Sequence, residues 1–107
     1  MNELVSKLIE GEHPVTVARA SGSASELKGM IDRDYVLIKF TQTRGGTELG
    51  YRLDKARCKL DEVDWETGQG TVTLVGNLNL DYTDVRCIAV IDASSLEGSG
   101  HLQVLES

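Results

Sequence analysis

Over most of its length this chain alternates apolar and polar residues with the period of two that a half-buried β-strand requires. Its opening segment keeps a different period. Leu4, Val5, Leu8 and Ile9 fall at i, i+1, i+4 and i+5, one stripe of a helix of about two to three turns. Gly11 stands where a left-handed cap would end that helix, and Pro14 forbids its continuation. A helix this short is marginal alone in water, so its stripe is expected to dock on the rest of the protein or on a neighbour.

Val15 and Val17, alternating with Thr16 and Ala18, predict a first strand, which the small polar run Ser21 to Ser25 interrupts. Residues 23–31 carry two patterns at once. Ser23 with Glu26 has the spacing of a capping box, while Leu27, Gly29 and Ile31 fit a strand, and the strand is the reading taken.

From Asp34 onward the register of successive hairpins can be tested by asking whether apolar residues face one another. Closing the first on Gly45-Gly46 sets Phe40 opposite Tyr51 and Ile38 opposite Leu53. Cys58 to Trp65 then meets Gly70 to Leu80 across a turn in which Gly68 takes a positive φ. A turn near Asp81 to Asp84 sets Leu80 by Val85, Leu78 by Cys87, Gly76 by Ala89 and Leu74 by Ile91. A last turn at Asp92 to Ser95 sets Ile91 by Leu96, Ala89 by Gly98, Cys87 by Gly100 and Val85 by Leu102. The fold class expected is mainly β (α+β): a short N-terminal helix, then an antiparallel meander of about six to seven strands forming a curved sheet or small barrel. With no repeat or linker in sight, residues 1–107 are expected to form one domain.

Two features follow from that register. Gly76, Ala89, Gly98 and Gly100 cluster on the inner face, a trough that either the N-terminal helix or a bulky side chain from the other hairpins fills or a ligand occupies, with Phe40, Tyr51 and Cys87 as its lining. The outer face is not cleanly polar. Val75 would pair with Val90 beside Ile88, and Tyr35 and Leu37 lie outward on the first hairpin, so either the sheet closes and packs on both sides or, the reading taken, this face meets another subunit or partner protein. Trp65, set among acidic residues, is either an interface anchor or the end plug of the core.

Composition narrows the partners. Seventeen acidic against 11 basic residues give a formal net charge of −6 at pH 7, which repels phosphate backbones and anionic lipid, so neither nucleic acid nor membrane is expected. The first eleven residues lack the apolar run of a signal peptide. Two cysteines, Cys58 and Cys87, are too few for a secreted scaffold and too far apart for a zinc knuckle, so both are expected to be reduced thiols in the cytoplasm.

Candidate chemistry is sparse. A nucleophilic enzyme would have to use Cys58, Cys87, His13 and His101, yet Cys87 points inward among aliphatic side chains and His101 outward across from Arg86. The same four residues lack the local spacing of a metal site, and Asp61, Glu62, Asp64 and Glu66 lack the alternating ligands and central glycine of a calcium loop. Arg44-Gly45-Gly46 has the composition of an anion nest, but a hairpin tip needs those glycines simply to turn. Arg52 and Arg57, followed by Asp92-Ala93-Ser94-Ser95-Leu96-Glu97-Gly98, resemble in residue type the Arg-x3-Arg stretch and Asp/Asn-x-Ser-x2-Gly turn of the cyclic-dinucleotide-binding PilZ domain. Here the arginines stand five apart and the glycine comes one residue late, so no family is assigned.

The function expected is therefore a non-catalytic protein-binding or assembly module, self-associating as a homodimer and needing no cofactor. Its interface candidates are Tyr35, Leu37, Trp65, Val75, Ile88 and Val90. The alternative is a small-molecule-binding barrel or half-barrel built on the glycine trough, and a third reading is an acid-base enzyme using a buried Asp or Glu.

Overall fold

A computed structural model describes residues 3–18, 24–43, 45–80 and 82–105. In chain order its elements are α1 (Glu3–Leu8), β1 (His13–Val17), α2 (Ala24–Asp32), β2 (Tyr35–Phe40), β3 (Thr47–Leu53), β4 (Val63–Asp64), β5 (Gln69–Leu80), β6 (Thr83–Asp92) and β7 (Glu97–Val104). Every strand pairing is antiparallel. Starting from β1 the neighbours run β2, β3, β5, β6, β7 and back to β1, so six strands close into a barrel. The two-residue β4 lies outside that circuit, against the start of β5.

The helix at the N-terminus is shorter than its sequence stripe suggests, but the stripe does dock: Val5 and Leu8 are fully buried, and Leu4 and Ile9 pack half-buried on the core. Lys7 Nζ ties it to the β2–β3 loop by donating to the Gln42 carbonyl at 2.9 Å.

Residues 24–32 are a helix, which corrects the strand expected there. Leu27 and Ile31, four apart, share a face in either structure, since four is both two strand periods and about one helical turn. What decides is the rest of the turn. Lys28 and Asp32 form an i, i+4 ion pair at 3.0 Å, and Met30 half-buries beside Ile31. Ser23, the cap of the competing reading, lies outside the described residues.

Three registers differ from expectation, each by an even number of residues. On β2–β3, Phe40 faces Thr47, Ile38 faces Leu49 and Val36 faces Tyr51, so the Phe40–Tyr51 and Ile38–Leu53 pairs do not form. Thr43 explains the shift: its hydroxyl donates to the Phe40 carbonyl at 3.2 Å and meets the Thr47 hydroxyl at 2.7 Å, while its carbonyl accepts from Gly46 N–H at 2.9 Å. On β5–β6, Leu80 faces Thr83, Leu78 faces Val85, Gly76 faces Cys87, Leu74 faces Ala89 and Val72 faces Ile91. Val75 therefore faces Ile88, and Val90 faces Thr73. On β6–β7, Ile91 faces Gly98, Ala89 faces Gly100, Cys87 faces Leu102 and His101 faces Ile88 in place of Arg86. Asp92 sets this last turn, its Oδ1 accepting from Ser94 N–H, Ser94 Oγ and Ser95 N–H at 2.8, 2.6 and 3.3 Å.

Because an even slip returns every side chain to the same face, the inner set survives all three corrections. Val36, Ile38, Phe40, Leu49, Tyr51, Val72, Leu74, Val85, Cys87, Ala89, Ile91 and Leu102 are all buried in one core. Each large aliphatic or aromatic side chain so buried contributes roughly 2 kcal/mol. The barrel is joined least at β3–β5, where only Arg52–Asn77 and Leu53–Gly76 pair. Beyond them the chain follows β5 by single contacts: Asp54 N–H to the Val75 carbonyl at 2.8 Å, then a lone bridge from Lys59 to Thr73.

Candidate interaction surface

A ligand site inside the barrel would need room there. Gly76 sits where β3 and β5 meet, and a Cβ on it would collide with the Arg52 carbonyl oxygen and the Tyr51 ring. Tyr51 therefore occupies the space a side chain would take, and its hydroxyl donates to the Leu74 carbonyl at 3.0 Å. Phe40, Cys87 and Ala89 are fully buried, and Val15 covers Gly100, its Cγ1 3.3 Å from where a Cβ would stand. Gly98 lies exposed at the β6–β7 turn end, between Val15 and Ile91. The trough is thus filled by the protein's own side chains, and no cavity is found among the described residues.

Interior chemistry is muted for the same reason. Burial pushes the Cys87 thiol up to about 12, and burial, with the nearby Cys87 thiol second, raises the Tyr51 phenol well above its ordinary range. Cys58 is half-buried and bonded to one residue twice, accepting from Val75 N–H at 3.3 Å and donating to the Val75 carbonyl at 3.4 Å. Burial again raises it. The thiol stands in for a backbone partner at the seam between β3 and β5, which is a structural task.

Neither histidine approaches these thiols as a base would. His13 Nε2 lies 2.8 Å from the Glu10 carbonyl, with its ring edge-on to Phe40. His101 Nδ1 lies 2.8 Å from Glu12 Oε1 but misses hydrogen-bond geometry, so the contact is an ion pair in distance only. Among the described residues no Asp or Glu is buried and no His, Cys, Asp and Glu cluster has metal-binding geometry. Of the acidic edge, Asp64 turns its own loop through Glu66 N–H at 2.9 Å, and Glu62 pairs with Lys59 at 3.1 Å. Arg44 lies outside the described residues.

The arginines and the serine turn also stay apart. Arg52 faces Asn77 and Asp92 faces Thr71, six positions away along β5, or about 20 Å of strand. Arg57 is paired instead with Asp54 at 3.2 Å.

Outside the barrel, β6 presents Ile88 and Val90, the latter 42% exposed. Val75, expected beside them, is only 5% exposed and offers almost nothing to a partner, a correction to its place among the interface candidates. The loop that follows β3 runs along β5 at this point, and Cys58 closes over the Val75 backbone. Tyr35 and Leu37 form a second patch on β2, with Tyr35 49% exposed. In the circuit of six strands β2 and β6 stand opposite, so the two patches face away from each other. Trp65 is half-buried against the core at the β4–β5 turn, the plug of the two roles open to it.

Sequence reasoning missed Tyr82, the most exposed large hydrophobic side chain among the described residues, at 97%. The signal lay in the register: once Leu80 pairs with Thr83, Tyr82 is one of the two turn residues. Among the described residues no helix is long and apolar enough to cross a membrane. No family model matches this chain, and a search of curated proteins finds none similar to it.

Proposed function

We propose that the chain is a non-catalytic protein-binding module that associates with itself through the outside of its barrel. Strand β6 carries the reading. Its inward residues Val85, Cys87, Ala89 and Ile91 are fully buried, so the inner layer is complete, yet the outward positions Ile88 and Val90 are apolar as well. A contiguous apolar patch on a finished barrel marks a contact surface, and half-buried Ile88 beside exposed Val90 is the centre of one on this reading. A net charge of −6 supports protein over nucleic acid or anionic lipid as the partner, and two free thiols fit a reducing compartment such as the cytoplasm.

Native mass spectrometry and sedimentation velocity test the reading. The wild-type protein should weigh more than one subunit, and Ile88→Lys should lose mass while keeping its circular dichroism spectrum. If Ile88→Lys does not fold, Val90→Lys, at the more exposed position, serves in its place. A wild-type monomer, or folded variants of unchanged mass, would overturn it.

A further inference from the structure

Along β6 the outward positions run Arg86, Ile88, Val90 and Asp92: a cation, two apolar side chains and a carboxylate. Reversed end for end, this row is its own complement. A second copy turned over onto the first lays Arg86 on Asp92 and Ile88 on Val90, and does so twice.

Both charges are open to a partner. Arg86 makes no ion pair among the described residues, and its Nε donates only to Asn77 Oδ1, at 3.3 Å. Asp92 is exposed, and its bonds to Ser94 and Ser95 all fall on Oδ1, so Oδ2 has no partner among the described residues. Those bonds, the Ser94 hydroxyl first, hold its carboxyl below the ordinary range, so it is charged at neutral pH. Within one subunit the two groups stand six positions apart, about 20 Å of strand, and cannot pair with each other. The flanking strands agree in charge. Arg86 faces the neutral Asn77 and Gln103, whereas Glu97, next to the Ile91–Gly98 pair, adds a second carboxylate at the Asp92 end.

We propose that β6 packs face to face and antiparallel on β6 of a second copy, about a two-fold axis beside Ala89, with two Arg86–Asp92 ion pairs bracketing an Ile88–Val90 centre. This rests on the self-association reading and fixes its register. An axis parallel to the strand would set Arg86 on Arg86 and Asp92 on Asp92. Centring on Ile88 would set Asp84 against Asp92, and centring on Val90 would set Ile88 against Asp92, so charge and apolarity select the position between them. Asp84, already bonded to Asn79 at 2.9 Å, then falls past the Asp92 turn. Because both subunits use the same patch, the contact closes at two.

Sedimentation velocity over a range of protein concentrations, in a double-mutant cycle, tests the register. Wild type should be a dimer. Asp92→Asn keeps the Oδ1 acceptor for the turn and removes the charge, and should weaken the dimer about tenfold, because two exposed pairs are lost together. In the Arg86→Glu background the same change should instead tighten the dimer, since it now removes a repulsion. If both Arg86→Glu proteins are monomeric, Arg86→Gln replaces that background, and there Asp92→Asn should have no effect. An Asp92→Asn variant that dimerises as wild type does, or one that weakens the dimer equally in every background as a loosened turn would, overturns this register while a monomeric Ile88→Lys keeps the self-association reading. A wild-type assembly larger than a dimer also overturns the closed two-fold contact. A wild-type monomer removes both.

Discussion

Gly76 and Tyr51 act as one unit, a missing side chain and the ring that uses its space. Adding a single methyl at Gly76 drives it into the Arg52 carbonyl, which belongs to one of the two residue pairs that close the barrel, so neither strand can yield without opening the seam. Gly76→Ala should therefore cost about 3 kcal/mol, toward the upper end for overpacking, as read from the urea midpoint. A midpoint equal to wild type would mean that the seam is loose. Tyr51→Phe keeps the ring and removes the hydroxyl that donates to Leu74, which should cost about 1–2 kcal/mol. The loss should be smaller than for Gly76→Ala because packing at the seam is untouched. The reverse order would assign the closure to the hydrogen bond.

Elements were legible where one period ruled, and ambiguous where two periods coincide. The strands and their inner faces follow from alternation, but an even slip changes no face, so the pairing partners of Ile38, Cys87 and Ala89 depended on loop chemistry at Thr43 and Asp92. Leu27 and Ile31 satisfied strand and helix alike, and Met30, which packs on the core with them at i, i+3 and i+4, was the signal that favoured the helix. The outer patches at Tyr35, Leu37, Ile88 and Val90 were legible as outward apolar positions, whereas the cover over Val75 was not, because it comes from a loop with no period. Helix α1 shows how an element too short to stand alone is held by its docking: Val5 and Leu8 are its fully buried contacts. Leu8→Ala should cost about 2–4 kcal/mol of that local docking. Hydrogen exchange should then show α1 amides losing protection while β5 and β6 keep theirs. Equal loss across the strands would make α1 part of the cooperative core.

Closing six strands around these side chains gives the whole molecule a stability that falls at alkaline pH. The cause is the interior pair Cys87 and Tyr51, whose charged forms the dry core rejects. Below about pH 9 the thiol is protonated in both the folded and the unfolded chain, and it contributes no slope. Between its ordinary value of 9.0 and its folded value of about 12, the unfolded chain releases the proton and the folded chain keeps it. The unfolded state then binds fewer protons, so stability falls as pH rises, by up to roughly 1.4 kcal/mol per pH unit for each such group. Tyr51 adds to the fall above pH 10, and the half-buried Cys58 adds less. Urea unfolding at half-unit steps from pH 7 to 10.5 should therefore show a plateau followed by a steepening decline. Cys87→Ala starts lower, because it leaves a small void, but should decline less steeply between pH 9 and 10, where Cys87 is the main titrating group. Parallel curves for the two proteins would mean that hydroxide reaches the thiol in the folded state, and hence that the seam beside Tyr51 opens on the timescale of the measurement.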